Sequence, residues 1–377
     1  VLTNNDQIIG DFKQGGGTFI LKFSREKKSA TALKRPQEPK GPFSYTEENV
    51  EFINESAKIK LAGTLTIPKE GKKFPVVILI SGSGPQDRNE ELLGHKPFLV
   101  LADHLTNNGI AVLRVDDRGV GESEGDFDSA TSVDFATDVK AAVSYLKTRK
   151  EIDKKHIGLV GHSEGGVIAP MVAKDMKSID FIVLLAGTGI RGAELLLMQQ
   201  KLIHKANGMS DEDLKKIIET NEGVFKIIVD SKNKEEAEML LKDYLRPLLE
   251  KEPDSEIPAG KTREDVLQEE IAQITSPWMY YFLRHDPALV LEKVKCHVLA
   301  INGEKDLQVP AKENLEAIKS SLEKAKNKNV TTIEIPNLNH LFQECETGAP
   351  SEYIKIEQTF SPKALNIVSE WILEVVE

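Results

Sequence analysis

From Tyr45 onward, short apolar runs alternate along the chain with longer segments whose apolar residues recur at helical spacing. Runs such as Phe74–Ile80 are apolar almost throughout, which is typical of strands covered on both faces in a parallel sheet. The segment Asp134–Lys150 carries apolar side chains every three or four residues, which is typical of an amphipathic helix. This alternation predicts an α/β fold, with a mostly parallel sheet and helices on both faces. The predicted strands are Val50–Ile53, Ile59–Ile67, Phe74–Ile80, Ile110–Val115, His156–Val160, Ile179–Ala186, Val298–Ile301 and Thr331–Ile335, and the predicted helices outside residues 190–288 are Phe98–Asn108, Asp134–Lys150, Gly165–Met176, Ala311–Lys326 and Pro362–Val376.

The alternation stops between residues 190 and 288, where helical patterns occur without a convincing strand. The clearest of them are Leu195–Ala206, Asp211–Val229 and Glu235–Leu249. An insert that splits an α/β sheet is predicted to form a cap over the carboxyl edge of the strands, where ligands bind in such folds. Residues 45–189 and 289–377 are therefore expected to form one α/β domain, and residues 190–288 its helical cap.

The residues before Tyr45 have a different character. Thr18–Phe23 reads as a short strand after a run of three glycines, so residues 1–34 are predicted to be a β segment. The segment is too short for a domain, and it is either the last piece of a truncated β domain or an arm on the main body. Three prolines within residues 35–44 predict an extended linker.

Composition removes several classes of function. The chain has 377 residues, 40% of them hydrophobic, which suffices for one large core and an insert. Acidic residues outnumber basic ones by 60 to 49, and the net charge of −11 makes nucleic acid an unsuitable partner. No apolar stretch approaches the about 20 residues that a membrane-spanning helix needs. The chain has two cysteines, too few for a disulfide framework, and it lacks an H-E-x-x-H pattern. We therefore expect no metal or other cofactor. The oligomeric state stays open.

The segment Gly161-His162-Ser163-Glu164-Gly165 has the spacing G-x-S-x-G and joins a predicted strand to a predicted helix. In this context the pattern is typical of a nucleophile elbow, in which a tight turn exposes the serine hydroxyl at a helix N-terminus. Ser163 is therefore the candidate nucleophile of an α/β-hydrolase fold.

A serine hydroxyl needs an adjacent base and an acid that orients this base. In this fold the three groups follow one another along the chain in the order serine, acid, histidine. Of the eight histidines, His340 is the one that follows the last predicted strand. Asp306 lies in the loop past the seventh strand and is the candidate acid, with Glu304 as its nearest rival.

The oxyanion hole of this fold takes one N–H from the residue after the nucleophile, here Glu164, and a second from the loop after the third strand. Ser83 is the candidate second donor and Gly84 the alternative. The carboxylate of Glu164 beside the nucleophile would disfavour an oxyanion unless it is neutralised. Arg88 or Arg118 is the expected ionic partner.

The segments Ser81–Arg88, Gly94–Phe98 and Asp116–Ser123, together with the Ser163 elbow, resemble bacterial α/β-hydrolase esterases of the EstD type. That group is related to dienelactone hydrolases, acyl-CoA thioesterases and prolyl-oligopeptidase-like peptidases, and the likeness covers roughly residues 45–377. It implies a carboxylesterase that acts on short acyl esters of small molecules beneath a helical cap. It also implies that residues 1–34 end a larger N-terminal domain, which in relatives often accompanies export to the periplasm or the medium.

The insert ends in a run of large apolar and aromatic residues, Trp278–Leu283. A water-facing helix would not carry such residues on every side, so this run is predicted to be buried between insert and sheet. Trp278 and Tyr281 are candidates for the wall of the acyl pocket above Ser163, unless the run only packs the insert onto the body.

Two alternatives to an esterase stay open. A thioesterase or a peptidase would use the same three residues, since acyl-enzyme chemistry is common to them. A ligand receptor could retain a hydrolase fold without turnover, because fold alone does not determine function.

Overall fold

The structure, a computed structural model, describes residues 34–258 and 260–377, without the side chain of Glu256, and the backbone of three strands nearer the start of the chain. These strands form an antiparallel sheet in the order β1-β2-β3. The third contains the strand predicted over Thr18–Phe23. Their bounds are β1 Leu2–Asn4, β2 Gln7–Gln14 and β3 Gly17–Ser24.

The central feature is an eight-stranded sheet in the order β11-β10-β9-β8-β6-β7-β5-β4. The six strands from β11 to β7 are parallel to one another, whereas β5 is antiparallel to both β7 and β4. The predicted opening hairpin and mostly parallel sheet are therefore confirmed. The strands are β4 Tyr45–Asn54, β5 Ile59–Pro68, β6 Phe74–Ile80, β7 Ala111–Val115, β8 Ile152–His162, β9 Ile179–Leu185, β10 His297–Gly303 and β11 Val330–Ile335.

Helices cover both faces of this sheet because successive side chains of each strand point to opposite sides. In β6, Ile78 packs in one apolar core and Leu79 in another. Helices α2, α3 and α10 contribute to the first core and α1 and α12 to the second. The helices are α1 Pro97–Asn107, α2 Ser132–Leu146, α3 Gly165–Asp175, α4 Gly192–Ala206, α5 Asp211–Asp230, α6 Lys234–Leu249, α7 Arg263–Ile274, α8 Pro277–Arg284, α9 Ala288–Leu291, α10 Ala311–Lys324, α11 Pro350–Tyr353 and α12 Pro362–Val376.

Helices α4–α9, here called the helical insert, lie between β9 and β10 in the chain, and α4–α8 build an apolar core of their own. Trp278 packs against this core and also against the core of the sheet, so α8 joins the two. Helix α7 was not predicted from the sequence, because its only buried residues are Leu267 and Ile271 and its apolar periodicity is therefore weak. Among the described helices, none combines the length and the apolar character required to traverse a bilayer.

Candidate active site

The turn that carries Ser163 is closed by backbone contacts that exclude side chains. Strand β8 ends at His162 and α3 begins at Gly165. A Cβ atom on Gly161 would lie 2.0 Å from the carbonyl oxygen of Gly165, and one on Gly165 would lie 2.1 Å from that of Ile80. Ser163 has φ 52°, in the left-handed region that non-glycine residues rarely adopt. The G-x-S-x-G spacing therefore follows from sterics, and it produces the strained turn expected of a nucleophile elbow.

A buried carboxylate–imidazole pair lies at the carboxyl edge of the neighbouring strands. Asp306 follows β10 and His340 follows β11, and both are nearly inaccessible to solvent. Nδ1–H of His340 donates to Oδ2 of Asp306 at 2.8 Å. The other oxygen of Asp306 accepts from the backbone N–H groups of Gln308 and Val309 at 2.8 and 2.9 Å. Three N–H donors suit an ionised carboxylate, and they fix the imidazole in the tautomer that leaves Nε2 free to act as a base.

Glu304, the rival acid, lies on the exposed side of the same loop. Its carboxylate accepts from the backbone N–H of Asn337 at 3.0 Å. Among the hydrogen bonds of the described residues, none joins Glu304 to His340. The geometry therefore favours Asp306 as the partner of His340.

The loop of His340 is held directly against the elbow. Nε2–H of His162 donates to the carbonyl oxygen of His340 at 3.0 Å, and the two imidazole rings have centroids 4.8 Å apart. Within the part of the chain that the structure describes, no hydrogen bond joins the Ser163 hydroxyl to His340. Such bonds are often long in the absence of substrate and shorten in the reacting complex. The assignment of Ser163, Asp306 and His340 as one catalytic unit stays a prediction.

The loop after β6 lies over Ser163. A Cβ atom on Gly82 would be 3.3 Å from Cβ of Ser163, and the Gly82 N–H itself donates to Oε1 of Glu90 at 2.7 Å. In the described structure, the backbone N–H groups of Ser83 and Glu164 have no intramolecular acceptor. Gly84, the alternative donor, shares this property, so the second donor of the predicted oxyanion hole stays a choice between Ser83 and Gly84.

The predicted ionic partner of Glu164 is wrong. Arg88 instead pairs with Asp116 at 2.5 Å, and Arg118 pairs with Asp138 at 2.7 Å. Both arginines thereby fix the loop between β7 and α2, and neither forms an ion pair with Glu164. The sequence contains these acidic partners, but only the folded chain shows which carboxylate each guanidinium reaches.

Glu164 has neutral hydrogen-bond donors in place of an ionic partner. The residue is 3% exposed, and its Oε1 atom accepts from the Ser132 hydroxyl at 2.6 Å and from the Trp278 indole N–H at 2.7 Å. Burial raises the pKa of Glu164, and these two hydrogen bonds offset the rise only in part. The shift favours the protonated carboxyl group, which carries no negative charge to oppose an oxyanion.

The aromatic residues of α8 differ in how closely they approach the elbow. Trp278 is half-buried, stacks on Phe282 with centroids 4.9 Å apart and contacts Glu164 through its indole N–H. The Tyr281 hydroxyl lies 3.1 Å from Nδ1 of His285. Burial raises the pKa of Tyr281, and Glu164 in its ionised form adds to the rise. Trp278 thus connects the insert to the residue after Ser163, whereas Tyr281 contacts His285 within the insert.

Glu90 and His162 belong to the site although the sequence did not single them out as functional. Both are buried, and Oε1 of Glu90 lies 2.8 Å from Nδ1 of His162. The two residues are 72 positions apart in the chain. No local pattern in the sequence predicts such a contact.

The comparisons with known proteins agree with this geometry. Residues 58–340 match the X-Pro dipeptidyl-peptidase (S15) family. The chain is 26% identical over 315 residues to "Esterase EstD" of Thermotoga maritima, an alignment that covers 83% of this chain and 66% of the relative. It therefore spans slightly less than two thirds of the length of that relative. The resemblance to the EstD type is confirmed.

Two solved structures share the fold. Est1E from Butyrivibrio proteoclasticus, solved with ferulic acid bound, is 20% identical with a TM-score of 0.50, and the match covers 87% of this chain and 99% of that one. The alpha/beta hydrolase GrgF from Penicillium sp. sh18 is 17% identical with a TM-score of 0.50, and the match covers 78% and 91% of the two chains. Since the family match extends over more than half of its residues, this chain, whose fold is that of the α/β-hydrolases, belongs to the X-Pro dipeptidyl-peptidase (S15) family.

Proposed function

We propose that this protein is a serine carboxylesterase that hydrolyses short-chain acyl esters of small molecules through an acyl-enzyme. The observation that carries the proposal is the buried Asp306–His340 hydrogen bond of 2.8 Å beside the strained turn of Ser163. An imidazole oriented in this way near a serine at such a turn is the arrangement that activates a hydroxyl nucleophile. The similarity to a relative named as an esterase supports an ester substrate.

In the proposed reaction, the Ser163 oxygen attacks the ester carbonyl while its proton moves to Nε2 of His340. The backbone N–H groups of Ser83 and Glu164 bind the oxyanion that forms. The tetrahedral intermediate then collapses, the alkoxide leaves with the proton from His340, and the acyl group remains on Ser163. A water molecule, deprotonated by His340, attacks the acyl group. The second tetrahedral intermediate collapses, the Ser163 oxygen takes the proton back from His340, and the carboxylic acid is released. Asp306 stabilises the imidazolium in both halves of the reaction.

One substrate panel separates this proposal from its alternatives. We expect nitrophenyl butyrate to be turned over far faster than an X-Pro nitroanilide or a butyryl thioester. The match to a peptidase family makes amide cleavage the specific rival. A higher kcat/KM on the nitroanilide would establish a peptidase, and a higher value on the thioester a thioesterase. Binding without any turnover would indicate a receptor.

The helical insert is proposed to act as a cap over this site, with residues 1–34 and 35–44 as a separate β segment and linker. Trp278 supports the cap role because it contacts both the insert core and the residue after Ser163. Its bulk there fits a pocket for short acyl chains, with Tyr281 as a second wall residue.

Trp278→Ala is expected to shift the chain-length preference of the enzyme. The wild-type protein should hydrolyse acetyl to butyryl esters at least about tenfold better in kcat/KM than dodecanoyl esters, because the indole limits the pocket. Removing the ring opens space, so the variant should gain on longer chains relative to short ones. Profiles of kcat/KM against acyl length would measure the shift.

The second tryptophan provides the matched control. Trp371 lies on α12 and packs edge-on against Phe181 in the core on the other side of the sheet. Trp371→Ala should lower the melting temperature but leave the chain-length profile unchanged. An unchanged profile in a well-folded Trp278→Ala protein would contradict the pocket role and leave Trp278 as a packing residue.

Glu164→Gln tests the protonated carboxyl beside the nucleophile. A glutamine oxygen can accept the same hydrogen bonds from Ser132 and Trp278, so the variant should keep kcat/KM near neutral pH within about threefold. As the pH rises, the wild-type carboxyl loses its proton, and the negative charge opposes the oxyanion. The wild-type rate should therefore fall on the alkaline side while the variant holds its rate.

The pH profiles of the two proteins, measured with the same ester, decide this prediction. Glu304→Gln is the control, since it removes an exposed carboxylate from a neighbouring loop and should leave the profile as in the wild type. A large loss of activity in Glu164→Gln at neutral pH would show that the ionised carboxylate is needed.

A further inference from the structure

The carboxyl group of Glu90 lies where three separate segments of the site meet. Glu90 is 5% exposed, and its backbone adopts the left-handed region with φ 52°. Its Oε1 atom accepts from the N–H of Gly82 at 2.7 Å and lies 2.8 Å from Nδ1 of His162. One oxygen atom therefore ties the loop over Ser163 to the strand that ends at the elbow.

The imidazole of His162 extends the same connection to the third segment. Its Nε2 faces the carbonyl oxygen of His340 at 3.0 Å, and a carbonyl oxygen can only accept, so this nitrogen carries a proton. Burial by itself lowers the pKa of His162, but the charge of Glu90 and its hydrogen bond outweigh burial and raise it. This shift favours the imidazolium form of His162, which donates at both nitrogens, from Nδ1 to Glu90 and from Nε2 to the His340 carbonyl oxygen.

We propose that Glu90 and His162 are positioning residues for the reaction, which together fix the oxyanion loop and the loop of the general base relative to Ser163. Because the Gly82 N–H is bound to Glu90, it cannot turn toward the substrate, and the next amides of the loop, those of Ser83 and Gly84, remain as donors. Because His162 binds the His340 carbonyl, the base cannot move away from the elbow. The inference rests on the proposed hydrolase function.

The energetic case for this role comes from burial. Removing one partner of a buried, hydrogen-bonded pair leaves the polar atoms of the other without a partner, which favours rearrangement of the surrounding loops. Here the loops that would rearrange carry the proposed oxyanion donor and the proposed base. A displacement of about 1 Å in such groups can cost about two orders of magnitude in rate.

Strand β8 also contains the matched control. His156 lies 2.8 Å from a carboxylate oxygen of Asp180 on β9, the same separation as in the pair formed by His162 and Glu90. His156 lies in the first half of β8, whereas His162 ends the strand beside the elbow. Asp180→Asn removes the carboxylate from a histidine–carboxylate pair between β8 and β9 without touching the site.

The experiment compares Glu90→Ala, Glu90→Gln and His162→Gln with Asp180→Asn and the wild type. Active sites are titrated with a fluorophosphonate, and kcat and KM per titrated site are measured with nitrophenyl butyrate. Inhibition by a trifluoromethyl ketone, which forms an oxyanion on the nucleophile, is measured in parallel. We expect Glu90→Ala and His162→Gln to lower kcat by about 100-fold and to change KM by less than about threefold. The inhibition constant of the ketone should rise by the same factor by which kcat/KM falls.

Glu90→Gln keeps the size of the side chain and an oxygen for Gly82, so we expect a smaller loss in kcat of about tenfold. If Glu90→Ala fails to fold, Glu90→Gln alone provides the test, and a decrease in its kcat per titrated site of less than about threefold overturns the proposal. The proposal would also be overturned if folded Glu90→Ala kept the wild-type kcat and the wild-type inhibition by the ketone, both measured per titrated site. A lower number of titrated sites with normal kinetics would show that Glu90 contributes only to the stability of the protein. In either case the proposed function itself stands as long as the wild-type protein is labelled at Ser163 and turns over the ester. A wild type that does neither overturns the proposed function, and this inference with it.

Discussion

Ser163→Ala should lower kcat/KM for a nitrophenyl ester by about 10⁴-fold or more while the protein stays folded. Without the hydroxyl no acyl-enzyme can form, and only binding and the oxyanion donors remain to assist attack by water. The substitution leaves the backbone turn intact, since that turn depends on the flanking glycines and not on the serine side chain. The melting temperature should therefore change little.

Covalent labelling makes this prediction specific to one serine. A fluorophosphonate should modify the wild type at a single position and fail to modify Ser163→Ala. Ser144, which is exposed on α2, provides the control, and Ser144→Ala should retain both labelling and turnover. Residual activity within about tenfold of the wild type would show that another group is the nucleophile.

The sequence predicted the sheet and the elbow because the forces that build them act over short stretches of chain. The apolar run Phe74–Ile80 can only be a strand buried on both faces, and it is one. Likewise, the glycines around Ser163 reflect steric limits at one turn, where a Cβ on Gly161 would meet the carbonyl oxygen of Gly165 and one on Gly165 that of Ile80 in β6. Local periodicity and local steric limits determine which residue types occur at successive positions, so they can be predicted from the sequence.

The contacts around Glu164 could not be predicted because they depend on distant parts of the chain. Its hydrogen-bond donors, Ser132 and Trp278, lie 32 and 114 positions away. The expectation of an ionic partner followed from electrostatics alone, yet both candidate arginines bind carboxylates nearer to them. Burial and neutral donors stabilise the carboxyl instead, a solution that only the packed structure shows.

The pair of Glu90 and His162 shows the same limit from another side. The sequence places His162 inside the elbow, where its Nε2 is occupied by a hydrogen bond to the carbonyl oxygen of His340. Its second partner, Glu90, comes from a loop between β6 and α1 whose path has no periodic pattern. Positioning groups of this kind depend on loop conformation, so they become visible only after the catalytic groups have been placed in space.

Asp306→Asn should lower kcat by about 10⁴-fold while the protein still binds substrate. The amide oxygen can keep the hydrogen bonds from the N–H groups of Gln308 and Val309, so the loop should hold its shape. The amide nitrogen then faces Nδ1 of His340 as a donor, which forces the ring proton onto Nε2. An imidazole in that tautomer has no lone pair for the Ser163 proton, and the imidazolium loses its compensating charge.

The ranking of two substitutions in one loop tests this argument. Glu304→Gln should change kcat by less than about threefold, because Glu304 is exposed and bonds only the backbone N–H of Asn337 among the described residues. Steady-state kinetics of both variants, with thermal melts to confirm folding, provide the measurement. If Glu304→Gln lost the rate and Asp306→Asn kept it, Glu304 would be the acid, and the 2.8 Å contact of Asp306 with His340 would be structural. If neither variant lost the rate, His340 would act without a carboxylate, and the oriented tautomer would not be required.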